Sequence, residues 1–380
     1  MQLESIEVTH FRNLSGKISW GPHLNIIAGN NGQGKTNWLE AIYVLARSKS
    51  FRTQRLQEAI AFGQPSANVC GVVSSGTAIK RELQIALHAN TKSIFVNGKR
   101  ESVARYLTHL QVFSFTADDL EVVRGNPEAR RRFIDRGVAS LFPTYLKILT
   151  DYIRVIKQKN RLLQSANDGE FSLDKAHDLL APWNDQLVVL ANEIHRARND
   201  YVDRLKATLE KRLFDQKDLT LRYVSALEGK GDLTDYQTLL QQRLQLRMNA
   251  EVAAGHSLLG PHRDDLEILL DNREIRVFGS SGQKRSALLL LDLAAISLYN
   301  SWYDDHPVFI VDDVDAELDE KRIQDLLEYL EGRTQTFITT SKRSHVEGFF
   351  SKANLYEIAD GRVGNDMAEP DAIPMAPGFV

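Results

Sequence analysis

Cysteine is nearly absent from this chain. Cys70 is the single one in 380 residues, which excludes an internal disulfide and any cysteine-rich metal centre. A strong charge of either sign is also missing. Formal net charge is −3, from 47 Lys and Arg against 50 Asp and Glu. Composition alone therefore does not mark a nucleic-acid binder, and any DNA contact must come from a local basic patch. No segment approaches the roughly 18 uninterrupted apolar residues of a membrane span. The start, Met1 to Val8, alternates like a strand and lacks the basic and apolar regions of a signal peptide. There is no internal repeat. These absences lead us to expect a soluble, reduced, cytoplasmic protein. Hydrophobic residues at 43% and charged residues at 26% are ordinary for a globular chain.

Against this plain background one segment stands out. Gly29-Asn30-Asn31-Gly32-Gln33-Gly34-Lys35-Thr36 has the spacing G-x-x-x-x-G-K-T of a phosphate-binding loop. Its glycines let successive backbone N–H groups turn inward and form a nest for phosphate oxygens. In that reading Lys35 reaches the β- and γ-phosphates, and the Thr36 hydroxyl serves a Mg²⁺ site. The flanks agree. Leu24 to Ala28 reads as a buried strand, and Trp38, Ile42 and Leu45 share one helical face behind the loop. A strand, a glycine loop and a helix N-terminus together make an anion site for a nucleoside triphosphate.

Further along, strands are expected at Val69–Val73, Ile79–His88 and Ser93–Val96, the last meeting an Asn97-Gly98 hairpin turn. From Pro127 to about Gln216 helical periodicity dominates, with breaks expected at Pro143, Asn167-Asp168-Gly169 and Pro182. A charge-laced helical pattern runs from Trp183 to Leu213, with Leu187, Leu190, Ile194, Tyr201 and Leu205 as its stripe. Short strands return after Gly255, including Leu266–Leu270, which turns at Asp271-Asn272. A helix over Ser286–Asn300 follows. Pro307 to Val311 is almost wholly apolar, as in a parallel strand buried on both faces, and it ends at Asp312-Asp313. A carboxylate in that position, beside a phosphate loop, suits metal binding, so Asp312 is the metal candidate and Asp313 the general base. Asp319 caps the following helix, which buries Ile323, Leu326, Leu327 and Leu330. The tail beyond about Gly364 shows no periodicity and reads as disordered.

Gly279-Ser280-Ser281-Gly282-Gln283 lies between loop and carboxylate. Alone it reads as a linker or helix cap; in that order it also offers a second phosphate-binding surface. Phosphate loop, Ser-x-Gly-Gln, Asp-Asp strand end and Glu317-Leu318-Asp319 together resemble the ATP-binding-cassette ATPase heads. His10-Phe11-Arg12-Asn13-Leu14, the run from Asp118 to Asp135, Gly260-Pro261-His262-Arg263-Asp264-Asp265 and Ile310 to Asp319 narrow the resemblance to the RecF family. It spans nearly the whole chain except the tail.

The resemblance implies an α/β fold, an ATP-binding-cassette P-loop head. Lobe I, with mixed sheet and central helix, would comprise 1–125 and 301–363. A mainly helical lobe II at 126–300 would carry the signature, and 364–380 would form the tail. It implies ATP and Mg²⁺ as cofactors, and an ATP-dependent homodimer in which Ser280, Gly282 and Gln283 close on the partner copy's nucleotide. Lys35, Asp313 and Ser280 become the catalytic set, Thr36 and Asp312 the metal set. Gly29 to Thr36 with Asn13 join the signature residues around the nucleotide. DNA at gaps and single-strand/double-strand junctions, RecR and RecO are the implied partners, in DNA replication, recombination and repair under damage (the SOS response). The separation of loop and carboxylate is too short for the coiled-coil arm of the chromosome-maintenance relatives.

This chain departs from the wider pattern at three points. Gly279 stands where the family usually has leucine, which suggests a looser turn. Thr340-Ser341 replaces the switch histidine of transporters, with Thr340 the substitute candidate. Asp313 is one methylene shorter than the usual glutamate, and a displacement of about 1 Å costs roughly 100-fold in rate, so hydrolysis is expected to be slow. Arg130-Arg131-Arg132 and Arg136 either contact DNA phosphates or pair with Glu121, Glu128 and Asp135. Lys157, Lys159, Arg161, Arg196, Arg198, Arg204 and Lys206 read as solvated helix faces. Trp38 and Trp302 read as packing residues, and His262 as a structural hydrogen-bonder. A transporter motor subunit and a nucleotide-gated module with negligible turnover are the alternatives; a phosphotransferase would have no use for Ser280.

Overall fold

The computed structural model describes residues 1–76, 79–209 and 218–363. The expected disordered tail, and the end of the pattern that runs to Leu213, lie outside these residues. The chain divides into two compact units, one of Gln2–Arg100 with the segment from Val308 onward, the other of Met1 with Glu101–Pro307. The lobe boundaries read from sequence fell at 125 and 300. The structure groups 101–125, and the end of the signature helix with its following loop, with the helical unit.

In the first unit, a parallel arrangement is built around Leu24–Ala28. This strand lies between Thr336–Thr340 and Ala353–Ala359, and Val308–Val311 pairs beyond Thr336–Thr340. Residues of Val308–Val311 are all buried, as their uninterrupted apolar character demands. An antiparallel sheet runs in the order Leu14–Ser19, Gln2–Phe11, Ser66–Ser75, Ile79–His88, Lys92–Val96, Lys99–Arg100. Its third strand alternates half-buried and buried residues along most of its length, the signature of one packed face. The hairpin at Asn97-Gly98 has φ of 49° and 71°, the paired left-handed conformation that this dipeptide favours. Helix Lys35–Arg47 touches strands of both sheets, which is why ten consecutive-turn residues from Lys35 to Ala46 are buried.

The second unit carries helices Pro127–Leu141, Tyr145–Asn167, Leu173–Thr208, Tyr236–Ala254 and Ser281–Tyr303, with a three-stranded antiparallel sheet centred on Asp265–Leu270. Leu173–Thr208 runs straight through Pro182, where a break was expected. Pro182 and Asp178 are both exposed, so the carbonyl that loses its partner meets water, while the buried stripe continues from Leu180 to Leu187. Packing along that stripe overrides the local penalty. The signature helix begins at Ser281 and reaches Tyr303, longer at both ends than expected. Among the described residues, no helix is long and apolar enough to cross a membrane.

Two basic residues expected on solvated faces are buried instead. Lys159 is fully buried and pairs with the equally buried Glu251 at 2.6 Å. Ser257 Oγ and the Leu258 amide donate to the other oxygen of Glu251. Arg198 forks onto Asp135 at 2.8 and 2.9 Å and donates to the Pro261 carbonyl. Periodicity did not separate these two from Lys157, Arg161, Arg196, Arg204 and Lys206, which are exposed, because an ion pair is completed by a residue far away in sequence. Trp38 is a packing residue at 1% exposure. Trp302 is 40% exposed, edge-on to Phe142 with Arg204 over its ring.

Removing one partner of the Lys159–Glu251 pair strands a buried charge. Lys159→Met is expected to destabilise the unit by about 3–5 kcal/mol, read as a shift of the denaturation midpoint. Adding Glu251→Gln, which keeps the acceptor for Leu258, should restore most of it; no recovery in the double variant would show that packing, not charge, is at stake. His195 and His262 are both held down at about 4, chiefly by burial. Below the ordinary histidine value of about 6.5 the unfolded chain takes up protons that the folded one does not. Stability should therefore fall from pH about 6.5 toward 4, and His195→Asn should flatten that part of a stability-against-pH curve.

Candidate functional site

The phosphate loop leaves the end of Leu24–Ala28 and enters helix Lys35–Arg47. Gly34 is the N-cap, at φ 101°, and a Cβ there would press to 3.1 Å from the Asn13 amide group. With no side chain capping this helix, its first N–H groups remain open to an anion. Asn30, Asn31 and Gly32 form the exposed rim of the loop, while Lys35 is buried. Lysine Nζ folds back onto the loop, donating to the carbonyls of Gly29 at 2.7 Å and Asn30 at 3.0 Å. Gln33 turns outward instead, and its Oε1 accepts from the Asp360 amide.

Beside the loop, Asp312 ends the strand Val308–Val311. Its Oδ1 accepts from Thr36 Oγ1 at 2.9 Å and from Thr339 Oγ1 at 2.8 Å. Burial raises the Asp312 carboxyl above its ordinary value, against the lowering effect of those two hydroxyls. Asp313 adopts the left-handed conformation, φ 51°, and its amide donates to Thr339 Oγ1 at 2.7 Å. Burial first, then the charges of Asp315 and Asp312, raises the Asp313 carboxyl. Thr339 thus ties both aspartates together with one hydroxyl. Thr340, the candidate for the switch position, closes a turn with Lys342. Register places Thr339 where it is: the strand Thr336–Thr340 pairs with Val308–Val311, Val311 opposite Ile338, so Thr339 stands next to Asp312, and no sequence signal gives that pairing. The neighbouring Ser341 donates its amide and its hydroxyl to Asp315.

A second group adjoining the loop escaped the sequence reading. Glu40 is fully buried within helix Lys35–Arg47 and accepts a two-pronged contact from Arg12 at 2.8 and 3.0 Å. Ser50 donates to it at 2.6 Å, and Arg52 reaches both Glu40 and Asn37. Asn37 in turn donates to Asn13 at 2.6 Å. The His10–Leu14 segment is thereby anchored next to Gly34, with Asn13 facing the loop.

In the other unit, Ser280 is the exposed N-cap of helix Ser281–Tyr303. Its hydroxyl accepts from the Gln283 amide at 3.2 Å, and Gln283 Oε1 accepts from the Ser280 amide at 2.8 Å, a complete capping box. The helix-cap and phosphate-surface readings are compatible, because Ser280 accepts within the cap and keeps its own hydrogen free to donate. The turn before it is closed rather than loose. The Gly279 amide bonds the Ile275 carbonyl at 2.9 Å, and a Cβ on Gly279 would sit 2.6 Å from that same oxygen.

The arginine cluster resolves into three ion pairs and one bond to a backbone carbonyl. Arg130 forks onto Asp265, Arg131 donates to the Asp264 carbonyl, and Arg136 bonds Asp119. Arg132 alone of the four is well exposed, 3.9 Å from Glu128. Pairing with Glu128 matches the expectation; Asp119 and Asp265 replace the anticipated Glu121 and Asp135. His262 bonds Tyr152 at 2.7 Å, a structural role. No cluster of three or more His, Cys, Asp or Glu suited to a metal occurs among the described residues.

Residues 2–362 match the model of the RecF/RecN/SMC N-terminal domain family. A protein of Shouchella clausii (strain KSM-K16) named DNA replication and repair protein RecF is 33% identical, with 96% of this chain and 99% of that protein covered. Its namesake in Lactobacillus johnsonii (strain CNCM I-12250 / La1 / NCC 533) is 35% identical over 96% of this chain and 99% of that one. A solved structure of the recombination mediator protein RecF-ATP in the RecFOR pathway superimposes with a TM-score of 0.85 at 30% identity, covering 95% and 96% of the two chains. An SMC head bound to the C-terminal winged-helix domain of ScpA shares the fold alone, with a TM-score of 0.55 at 15% identity. The family match over residues 2–362 and the identity to these relatives along nearly their whole length show that the chain belongs to the RecF family.

Proposed function

We propose that this chain is an ATP-dependent DNA-binding protein of replication and repair, in which nucleotide clamps two copies together and slow hydrolysis releases them. The observation that carries this is the convergence of Thr36 and Thr339 on Asp312 beside an uncapped helix N-terminus. Gly29 to Thr36 cradle the phosphates, and Asn13 borders them. Lys35 exchanges its two loop carbonyls for the β- and γ-phosphate oxygens, which are better partners for an ammonium. Mg²⁺ suits the donor set of one hydroxyl and one carboxylate, since this ion keeps most of its waters and takes the rest of its ligands from phosphate. Thr36 and Asp312 would hold it, and it would neutralise phosphate charge. Asp313 accepts the proton of the attacking water.

Ser280 donates its free hydroxyl hydrogen to the γ-phosphate held by the partner copy, with the amides near Gly282 alongside. Gln283 sustains this arrangement through its cap. Lobe I, in this reading, is the loop-bearing unit and lobe II the helical unit. The relatives' place as recombination mediator in the RecFOR pathway supports RecO and RecR as partners and gapped or junction DNA as the site of action, in the cytoplasm, to promote RecA loading. Family membership sets the transporter motor aside. A module without turnover differs from this proposal only in rate.

Replacing Lys35 by Ala should weaken ATP binding by about ten- to a hundredfold, the range for a charged hydrogen bond, and abolish nucleotide-driven dimerisation by sedimentation velocity. Asp313→Asn should leave ATP bound and the dimer trapped, with kcat lowered about 10²- to 10⁴-fold. The proposal itself is tested by duplex and junction binding with ATP, a non-hydrolysable analogue and ADP. Binding that requires ATP or the analogue supports it, and indifference to nucleotide removes it. Turnover of many per second per subunit would contradict the slow-hydrolysis part.

A further inference from the structure

The turn Asp360-Gly361 joins strand Ala353–Ala359 to Arg362–Val363, and it grips the phosphate loop through both ends of one residue. The Asp360 amide donates to Gln33 Oε1 at 2.7 Å, and the Gly361 amide donates to the Gln33 carbonyl at 2.8 Å. The buried Trp38 indole donates to the Gly361 carbonyl at 3.2 Å, tying the same turn to the helix behind the loop. Gly361 has φ 77°, and a Cβ there would lie 2.4 Å from the Asn13 carbonyl, so no other residue fits. At the opposite end of the loop, a Cβ on Gly29 would lie 2.5 Å from the Ile358 carbonyl. The strand before the turn runs parallel to Leu24–Ala28, with Glu357 opposite Ala28. One hairpin thus supports the entry, the middle and the exit of the loop.

We infer that Gln33 is a positioning residue that buckles the phosphate loop to the Asp360-Gly361 turn, and that this buckle sets the affinity for nucleotide. The inference rests on the reading of Gly29 to Thr36 as a triphosphate site. The sequence places Gln33 among the nucleotide-binding residues and assigns no partner to its side chain. Its Oε1 is committed to a backbone amide on the far side of the loop. A nest binds phosphate only when its N–H groups converge. Anchoring Gln33 in advance means that less order has to be created when the ligand arrives. Loss of the anchor should therefore weaken binding more than it slows the chemical step of the saturated protein.

The test uses the full chain with Gln33→Met, Gln33→Glu and Gly361→Ala. Equilibrium affinity for a non-hydrolysable ATP analogue is measured alongside kcat at saturating ATP. Methionine fills the space without the acceptor and should weaken binding about five- to tenfold, as for one lost hydrogen bond, a larger factor than any change in kcat. Glutamate keeps an oxygen for the Asp360 amide and should bind the analogue more tightly than the methionine variant. Gly361→Ala should weaken binding at least as much as methionine. If glutamate binds more weakly than methionine, the side chain faces phosphate and the inference is overturned. Unchanged affinity in Gln33→Met overturns it equally. Should Gly361→Ala fail to fold, the order of the two Gln33 variants decides. A wild-type chain that does not bind the analogue would strike at the triphosphate reading itself, not at the buckle.

Discussion

A carboxylate at the end of a buried strand is costly unless its oxygens are occupied, and Asp312 is the point on which the loop-bearing unit is organised. Two hydroxyls satisfy it, one from the helix after the phosphate loop and one from the adjacent parallel strand. Those bonds require that Asp312 stand beside Thr339 and near the end of Leu24–Ala28, which the parallel register provides, with Val311 opposite Ile338 and Ala28 opposite Thr340. The same requirement places Asp313 in a left-handed conformation, held by the hydroxyl that also holds Asp312. Such a conformation is uncommon outside glycine, and aspartate is among the residues that tolerate it. A group kept partly desolvated in this way interacts more strongly with charge brought next to it.

The phosphate loop is supported from two sides by unlike means. On one side, Lys35 Nζ donates to two loop carbonyls. On the other, backbone amides of a hairpin hold Gln33.

In the helical unit, the segments Arg130 to Asp135 and Gly260 to Asp265 are spent largely on buried pairs: Arg130 with Asp265, Arg198 with Asp135, Tyr223 with Asp264. Buried pairs of this kind add little net stability but penalise any other arrangement. They tie helix Pro127–Leu141 to helix Leu173–Thr208 and to the sheet centred on Asp265–Leu270. Of the three consecutive arginines, Arg130 and Arg131 are thus held within the scaffold and Arg132 is exposed.

Much of this was legible in the residues alone. The phosphate loop, the apolar strand ending in Asp312-Asp313, the Asn97-Gly98 hairpin and the cap at Asp319 are local patterns, and local sterics and hydrogen bonding decide them within a few residues. Thr339, Glu40, Lys159, Arg198 and the helix through Pro182 were not legible, or were misread. Each depends on a neighbour distant in the chain: the strand beside Thr339, Arg12 and Ser50 around Glu40, Glu251 opposite Lys159, Asp135 opposite Arg198, and the packed stripe that carries the helix past proline. Sequence by itself determined which chemistry this protein can hold, because phosphate recognition is written in short-range backbone geometry. Only the tertiary structure decided which charges are sunk into scaffold and which hydroxyl joins the two aspartates, because those outcomes depend on strand register and burial, which no local stretch of sequence contains.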